Sequence, residues 1–274
     1  MRFDENLAAI HGYLCGDGYV IRNRGTQSHK FYIIGFRNTN LVLLRDFRSR
    51  FKKVFGLEPI ISKDLDRCKI NNKNLYFVLT NNFSYYSREW EIPLLSKKNL
   101  RFWLRAFFDC EAWVENRPRQ SRLIGLDCCH EEGLLQVQKA LNRFDIKFNV
   151  KKRLDRDIWS LVLYGKENLK KFQKEIGFFH PKKKKKLEEA INSYVNYRWK
   201  IPLKKKELYR FVNFKGVKYG EGRIKFHSIV KASLLDLKKA LNKYGIKSKL
   251  GGPWINNHGS VNYDLRIRIK EVKW

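Results

Sequence analysis

An internal repeat is the feature that most constrains how this chain folds. Segments 134–147 and 234–247 align at an offset of 100 residues, and most of their positions are identical or conservatively exchanged. A weaker copy runs from Leu43 to Leu57. Each copy places apolar residues at helical spacing and leads into a strand-like stretch. A chain with such copies is expected to consist of several units with one supersecondary pattern.

The sequence around each copy predicts two strands before the helix and two strands after it. The predicted strands include 30–37, 75–80, 122–128 and 210–218. Strands joined by hairpins form antiparallel sheets, which a helix covers on one face. We therefore expect an α+β protein with three domains, at 1–96, 97–200 and 201–274.

The first two units each open with an additional helix of unusual composition. The first contains the segment from Ile10 to Gly18, and the second contains the segment from Leu104 to Ala112. Small residues recur at every fourth position, namely Ala8, Gly12 and Gly16 in the first helix and Ala106 and Cys110 in the second. Because Gly costs a helix about 1 kcal/mol relative to Ala, these stripes indicate that the two helices pack closely.

Both of these helices end in an acid that a small residue follows. Asp17 precedes Gly18, and Glu111 precedes Ala112. A carboxylate at a helix C-terminus is unfavourable by roughly 0.3–1 kcal/mol, so two equivalent acids in a basic chain indicate that a cation binds between them. Packed side by side, the helices would present both carboxylates at one end as hard oxygen ligands for Mg²⁺. The chemistry indicated is metal-assisted phosphodiester hydrolysis.

The two helix segments resemble the motifs of monomeric LAGLIDADG homing endonucleases, with the second segment nearer to the family pattern. The resemblance extends through the β-β-α-β-β body that follows each motif. It implies two pseudo-symmetric αββαββα units whose motif helices form the interface and whose saddle-shaped antiparallel sheets lie over DNA. The third, C-terminal unit is ββαββ-like and lacks the motif helix, so we expect it to be a binding extension.

The resemblance also implies the identity of the site. Asp17 and Glu111 would be the catalytic residues, and Gly16 and Cys110 would lie with them at the metal site. The metal would be Mg²⁺ or another divalent ion such as Mn²⁺. One acid per strand implies a double-strand break with a short 3′ overhang.

Four positions depart from the family pattern or complicate it. Cys15 stands where the family often has Asp, and Ala106 and Ala112 replace glycines. Asp109 lies two residues before Glu111, so the two side chains point in different directions. Only Glu111 aligns with Asp17, and it is therefore the one assigned to the site.

The charge of the chain predicts its partner. There are 58 Lys and Arg against 27 Asp and Glu, which gives a formal net charge of +31. Such an excess calls for a polyanion, and nucleic acid is the one that Lys and Arg neutralise through its phosphates. The candidate nucleic-acid-binding residues are Arg22, Arg24, Gln27, Lys30, Arg37, Arg117, Arg119, Gln120, Arg122, Lys182 and Lys183.

Three functions remain compatible with the sequence. The first is a monomeric endonuclease acting on double-stranded DNA. The second is an RNA-directed relative, an intron maturase or an RNA endonuclease, because the same basic surface and metal site would serve RNA. The third is a non-catalytic DNA-binding regulator, which the loss of either acid would favour.

The lengths of the apolar runs and the spacing of the cysteines bear on the location and redox state of the protein. No apolar run approaches the roughly 20 residues of a membrane-spanning helix, and Met1–Asn6 leads into no signal-type run. We therefore expect a cytoplasmic protein. The five cysteines contain no C-x-x-C pair, which argues against a structural zinc site or a disulfide framework.

Overall fold

The computed structural model describes residues 2–23, 26, 29–117, 121–153, 156–194, 197–220, 222–255 and 261–268. The chain divides into two compact units, which we call the N-terminal body (Met1–Tyr194) and the C-terminal body (Val195–Trp274). Within those ranges, no helix has both the length and the apolar character that crossing a membrane requires.

The N-terminal body contains two halves with the same order of elements. The first half comprises α1 (Glu5–Cys15), β1 (Gly18–Arg22), β2 (Tyr32–Arg37), α2 (Leu41–Phe55), β3 (Ile60–Ile61), β4 (Arg67–Asn71) and α3 (Lys73–Thr80). The second half comprises α4 (Lys97–Glu111), β5 (Ala112–Arg117), β6 (Ser121–Cys128), α5 (Glu131–Asn142), β7 (Asn149–Lys152), β8 (Trp159–Tyr164) and α6 (Lys166–Glu175), and α7 (Pro181–Asn192) follows it. The antiparallel sheets have the orders β1-β2-β4-β3 and β5-β6-β8-β7. The predicted α+β fold with two αββαββα halves is confirmed.

Local sequence explains where the motif helices begin. The Asp4 carboxylate accepts hydrogen bonds from the backbone N–H groups of Asn6 and Leu7 at 2.9 and 2.8 Å, which caps α1. Ser96 caps α4 by accepting from the N–H of Asn99. Both caps satisfy donors that the first turn of a helix leaves unpaired.

Each sheet buries the face that meets its helices. In the first half, the core includes Ile10 and Leu14 of α1, Ile34 and Phe36 of β2, and Phe47 of α2. Successive side chains on a strand point to opposite faces, so the residues between these core positions lie on the other face of the sheet. That second face carries Arg37 of β2 and Arg67 and Lys69 of β4.

One predicted strand of the first half is wrong. Residues 75–80 form most of α3, and the strand in this region is β4, slightly earlier in the chain. Asn72 caps α3 by accepting from the N–H of Leu75. Leu75 and Leu79 are four residues apart and both are buried, which is helical rather than strand-like spacing.

The C-terminal body has one sheet covered by two helices. Its elements are α8 (Lys205–Lys215), β9 (Val217–Tyr219), β10 (Arg223–Ser228), α9 (Lys231–Asn242), β11 (Ser248–Ile255) and β12 (Val261–Arg268). The sheet is antiparallel with the order β11-β12-β10-β9. In this region, the helix α8 precedes the predicted ββαββ pattern.

The strand predicted at 210–218 is wrong over most of its length, because α8 occupies residues 205–215. Leu208 and Val212 are four residues apart and fully buried. They anchor α8 to Ile224 and Phe226 of the sheet. Unlike α1 and α4, this helix has no stripe of small residues.

Candidate active site

The motif helices α1 and α4 pack against each other at very short range. A Cβ atom built at Gly12 would lie 2.5 Å from the carbonyl oxygen of Trp103 and 3.1 Å from the Cβ of Ala106. One built at Gly16 would lie 2.6 Å from the Cβ of Cys110. Only glycine fits at these two positions without moving a backbone, so the small residues do bring the helices together.

The two acids follow from this packing. Asp17 lies just beyond α1, and Glu111 is the last residue of α4. The Asn38 side chain donates to Asp17 Oδ2 at 2.9 Å, and the backbone N–H of Arg37 donates to the Asp17 carbonyl oxygen. Asp17 is therefore held by the end of the neighbouring strand β2.

The environment of Glu111 disfavours a second free negative charge. Burial and, to a lesser extent, the charge of Asp17 raise the pKa of Glu111 to about 7, while Lys183 opposes the shift. A Cβ built at Gly16 would lie 3.6 Å from Glu111 Oε1, so the Glu111 carboxylate reaches the residue that precedes Asp17. A site with this character is stabilised by a bound cation.

A lysine side chain caps the C-terminus of α4 beside Glu111. Lys183 of α7 donates from Nζ to the carbonyl oxygens of Phe108 at 3.3 Å, Asp109 at 2.6 Å and Cys110 at 3.1 Å. Burial lowers the pKa of Lys183, and the nearby acids oppose that shift. A cation at a helix C-terminus neutralises its partial negative charge. Lys183 was predicted to bind nucleic acid, but its ammonium is engaged inside the protein.

Asp109 has a partner of its own. Its buried carboxylate accepts from the backbone N–H groups of Phe179 and His180 at 3.0–3.1 Å. Burial raises the pKa of Asp109 to about 7, which these hydrogen bonds oppose. Asp109 thus ties α4 to the start of α7 and is directed away from the pair formed by Asp17 and Glu111.

The donor set at the ends of the motif helices fits a hard divalent cation. Within the described residues, no cluster of three or more His, Cys, Asp or Glu side chains is arranged to hold a metal. Mg²⁺ in proteins commonly uses one or two carboxylates and completes its shell with water and substrate phosphate. Gly16 and Cys110, which were predicted to share the site, immediately precede the acids, but the Cys110 carbonyl accepts from Lys183.

In both halves, an aromatic ring lies over a glycine on the sheet face that points away from the helices. The ring of Tyr19 lies directly over Gly35, and the ring of Trp113 lies directly over Gly125. Tyr19 pairs with Gly35 across β1 and β2, and Trp113 pairs with Gly125 across β5 and β6. Each aromatic residue is two positions beyond an acid, so the two halves present equivalent surfaces next to the candidate site.

Most of the predicted nucleic-acid contacts that the structure describes are exposed. Arg22, Lys30 and Lys182 are exposed. Arg37 lies 3.9 Å from Asp66 and Arg117 lies 3.2 Å from Glu115, and both of these arginine side chains remain 68% exposed. Arg24, Gln27, Arg119 and Gln120 lie outside the described residues.

The structure corrects the prediction that Arg122 binds nucleic acid. It is only 9% exposed, and its guanidinium donates to the hydroxyl and carbonyl oxygens of Ser193 at 2.6 and 2.9 Å. The guanidinium also stacks over the Tyr194 ring at 4.6 Å. Arg122 fixes the end of α7 to the second sheet and does not face a ligand, because β6 turns its side chain toward that helix.

The sequence comparisons decide the family. The model of the LAGLIDADG-like domain matches residues 4–91 and 98–177, which together cover more than half of the chain. The chain belongs to the LAGLIDADG-like family. The two matched segments each contain one motif helix and the sheet that follows it.

Curated relatives match the same part of this LAGLIDADG chain. The replication factor C small subunit of Thermococcus kodakarensis is 29% identical over 196 residues, covering 69% of this chain and 21% of that protein. The replication factor C small subunit of Methanocaldococcus jannaschii is 26% identical over 201 residues, covering 69% of this chain and 10% of that protein. The chain spans at most about a fifth of the length of these relatives.

Solved structures of homing endonucleases are similar to part of this chain. Mesophilic variants of the homing endonuclease I-DmoI superpose with a TM-score of 0.50 at 15% identity, covering 68% of this chain and all of theirs. The homing endonuclease I-WcaI, bound to its DNA recognition sequence, has a TM-score of 0.46 at 13% identity and covers 66% of this chain and 85% of its own.

Several residues of the candidate site and of the two outer sheet faces were not predicted from the sequence. Asn38 contacts Asp17 from the end of another strand. Lys69 and Lys151 are exposed on the sheet faces that carry Tyr19 and Trp113. The alternation of polar and apolar residues in β4, with Cys68 buried between Arg67 and Lys69, is the signal that identifies such positions.

Proposed function

We propose that this chain is a site-specific, metal-dependent DNA endonuclease that makes double-strand breaks by phosphodiester hydrolysis. The observation that carries the proposal is the pair of Asp17 and Glu111 at the ends of two closely packed helices. Their mutual repulsion and the burial of Glu111 raise the pKa of Glu111. Such a pair in a chain with a net charge of +31 suits a bound cation and a polyanionic substrate.

Asp17 and Glu111 would hold Mg²⁺ or a similar divalent ion such as Mn²⁺. When bound, such a metal activates water and stabilises the charge that develops on a phosphate. The protein's own side chains prepare the site. Asn38 fixes the Asp17 carboxylate through its amide, and Lys183 neutralises the last turn of α4 beside Glu111.

The proposed partner is double-stranded DNA. Exposed cations on the two outer sheet faces, such as Arg37, Lys69, Arg117 and Lys151, support contacts with its phosphates. I-DmoI has been described in complex with DNA and Mn. Because Asp17 and Glu111 differ in residue type, the halves are unlike, and we expect a monomer acting on an asymmetric target.

A cleavage selection tests this function. Purified protein with Mg²⁺ is offered pooled duplex DNA and, separately, pooled structured RNA. The Asp17→Asn variant serves as the inactive control. We expect specific cuts in duplex DNA that disappear in the variant.

Two other outcomes would replace the proposal. Cuts restricted to RNA would identify an RNA-directed LAGLIDADG protein. Tight binding without any metal-dependent cut would exclude the endonuclease and favour an intron maturase or a non-catalytic regulator.

A further inference from the structure

The C-terminal body repeats the architecture of one LAGLIDADG half. Its order α8, β9, β10, α9, β11, β12 matches the order from α1 to β4, and its sheet connects strands in the same way. In the first half Asp17 precedes Gly18, the first residue of β1, and in the second half Glu111 precedes Ala112, the first residue of β5. At the corresponding place in the C-terminal body, Lys215 ends α8 and is followed by Gly216 and then by β9. This third copy lacks the carboxylate that a metal requires.

Cations dominate the sheet face of the C-terminal body that points away from its helices. Ile224, Phe226, Leu265 and Ile267 face the core. The side chains that alternate with them point to the opposite face. These are Arg223, Lys225, His227, Asp264, Arg266 and Arg268, with Lys249 on the neighbouring strand.

The cations stand directly opposite each other across the strands. Lys249 pairs with Arg266, which in turn pairs with Lys225, so three cations form a row across β11, β12 and β10. Arg223 pairs with Arg268 in the next row. Like charges in direct cross-strand pairs destabilise a sheet. A polyanion bound to this face would offset the repulsion in both rows.

Within the described part of this face, Asp264 is the acid that pairs with these cations. Its fully buried carboxylate lies 2.8 Å from Arg266 Nη2 and 3.3 Å from Lys225 Nζ. Gly251 faces Asp264, and a Cβ there would collide with the carboxylate. Asp264 therefore holds two cations in place and leaves Arg223, Lys249 and Arg268 exposed.

We propose that this face of the C-terminal body binds the phosphate backbone of duplex DNA. The proposal rests on the proposed function, since it assigns a further contact surface to the same substrate. Charge complementarity supports it, because residues 195–274 hold 20 Lys and Arg against 5 Asp and Glu, an excess of 15. The basic side chains also line a shallow depression together with Tyr219 and Lys247.

Two triple variants of the full chain test this surface. The face variant carries Arg223→Gln, Lys249→Gln and Arg268→Gln. The helix variant removes the same charge from exposed positions on α9 and at its C-cap through Lys231→Gln, Lys239→Gln and Lys243→Gln. Binding to a mixed-sequence DNA duplex is measured over a series of salt concentrations, and a duplex RNA of the same sequence is measured in parallel.

The face variant should lose up to about 2.7 from the slope of log affinity against log salt, since each phosphate contact contributes about 0.9. The helix variant should keep a slope close to that of the unaltered protein. Equal losses in the two variants, an unchanged slope in the face variant, or a loss confined to RNA would overturn the proposal. Thermal unfolding monitors folding, and the face variant should not unfold at a lower temperature because it removes repulsive pairs.

The Asp17→Asn variant separates this surface from the proposed function. If the chain cuts no DNA and the face variant alone loses slope, the endonuclease proposal fails and the binding surface stands. If the chain cuts DNA in an Asp17-dependent manner and the face variant binds like the unaltered protein, the binding surface fails alone.

Discussion

The contact between the motif helices leads to a quantitative prediction for Gly12→Ala. A Cβ at this position would meet the Trp103 carbonyl oxygen at 2.5 Å, roughly 1 Å inside an ordinary van der Waals separation. The helices must move apart, and because the clash is with a backbone atom, the overpacking should cost about 2–3 kcal/mol, at the upper end of the usual range. The better helix propensity of Ala returns about 1 kcal/mol. The N-terminal body should therefore lose on the order of 1–2 kcal/mol, which corresponds to a Tm lower by about 2–8 °C.

Thermal unfolding followed by circular dichroism measures this loss, and a second substitution serves as a control. Adding Ala106→Gly removes the Cβ that lies 3.1 Å from the new atom but leaves the Trp103 oxygen in place. The double variant should therefore not recover the stability of the unaltered protein. A Gly12→Ala variant as stable as the unaltered chain would refute the close contact. Separation of the helices should also reduce cleavage more than binding, because both acids depend on the helix ends.

Three further predictions concern individual side chains. Asn38→Ala should reduce cleavage about 10- to 100-fold with unchanged DNA affinity, as expected when an orienting hydrogen bond to a metal ligand is lost; an equal loss of affinity would contradict the role assigned to Asn38. Arg122→Ala should lower the unfolding free energy by about 1.5–3 kcal/mol, because its charged hydrogen bonds to Ser193 are lost. If a DNA titration instead showed weaker binding at unchanged stability, Arg122 would be a nucleic-acid-binding residue, as the sequence predicted. Burial lowers the pKa of His11 to about 3, so the unfolded state binds more protons than the folded state between pH 6.5 and 3. Stability should fall as pH drops through this window, by about 1.4 kcal/mol per unit, and unfolding at pH 7 and pH 5 should show a smaller drop in His11→Asn.

Short-range patterns predicted the parts of the molecule that are local in sequence. The small residues at Gly12 and Gly16 anticipated the close helix pair, and the acids at both helix ends followed from the same alignment of segments. The repeats predicted one antiparallel sheet with a covering helix in each unit, but not the order of the strands. Each of these features depends on residues within one helix or one repeat, so periodicity alone is sufficient to find them.

Contacts between distant segments were missed for the corresponding reason. Lys183 reaches α4 across more than 70 residues, and Arg122 reaches Ser193 over 71. From the sequence alone, a basic side chain in either position resembles a phosphate-binding residue. Only the fold shows that it donates hydrogen bonds to oxygen atoms of the protein. Helices α3 and α8 were misread as strands because each buries only two residues, such as Leu208 and Val212, and a short apolar pattern does not distinguish the two periods.

The role of the two acids is tested most directly on a duplex recovered from the cleavage selection. Cleavage rate and DNA affinity are measured with Mg²⁺ for Asp17→Asn, Glu111→Gln and the control Glu167→Gln, which alters a carboxylate that is 82% exposed and distant in sequence from both acids. Cleavage should be lost in the first two variants with affinity largely retained, and the control should match the unaltered protein. Retained cleavage in either acid variant, or parallel loss of cleavage and affinity, would contradict the assignment of Asp17 and Glu111 as metal-binding catalytic residues.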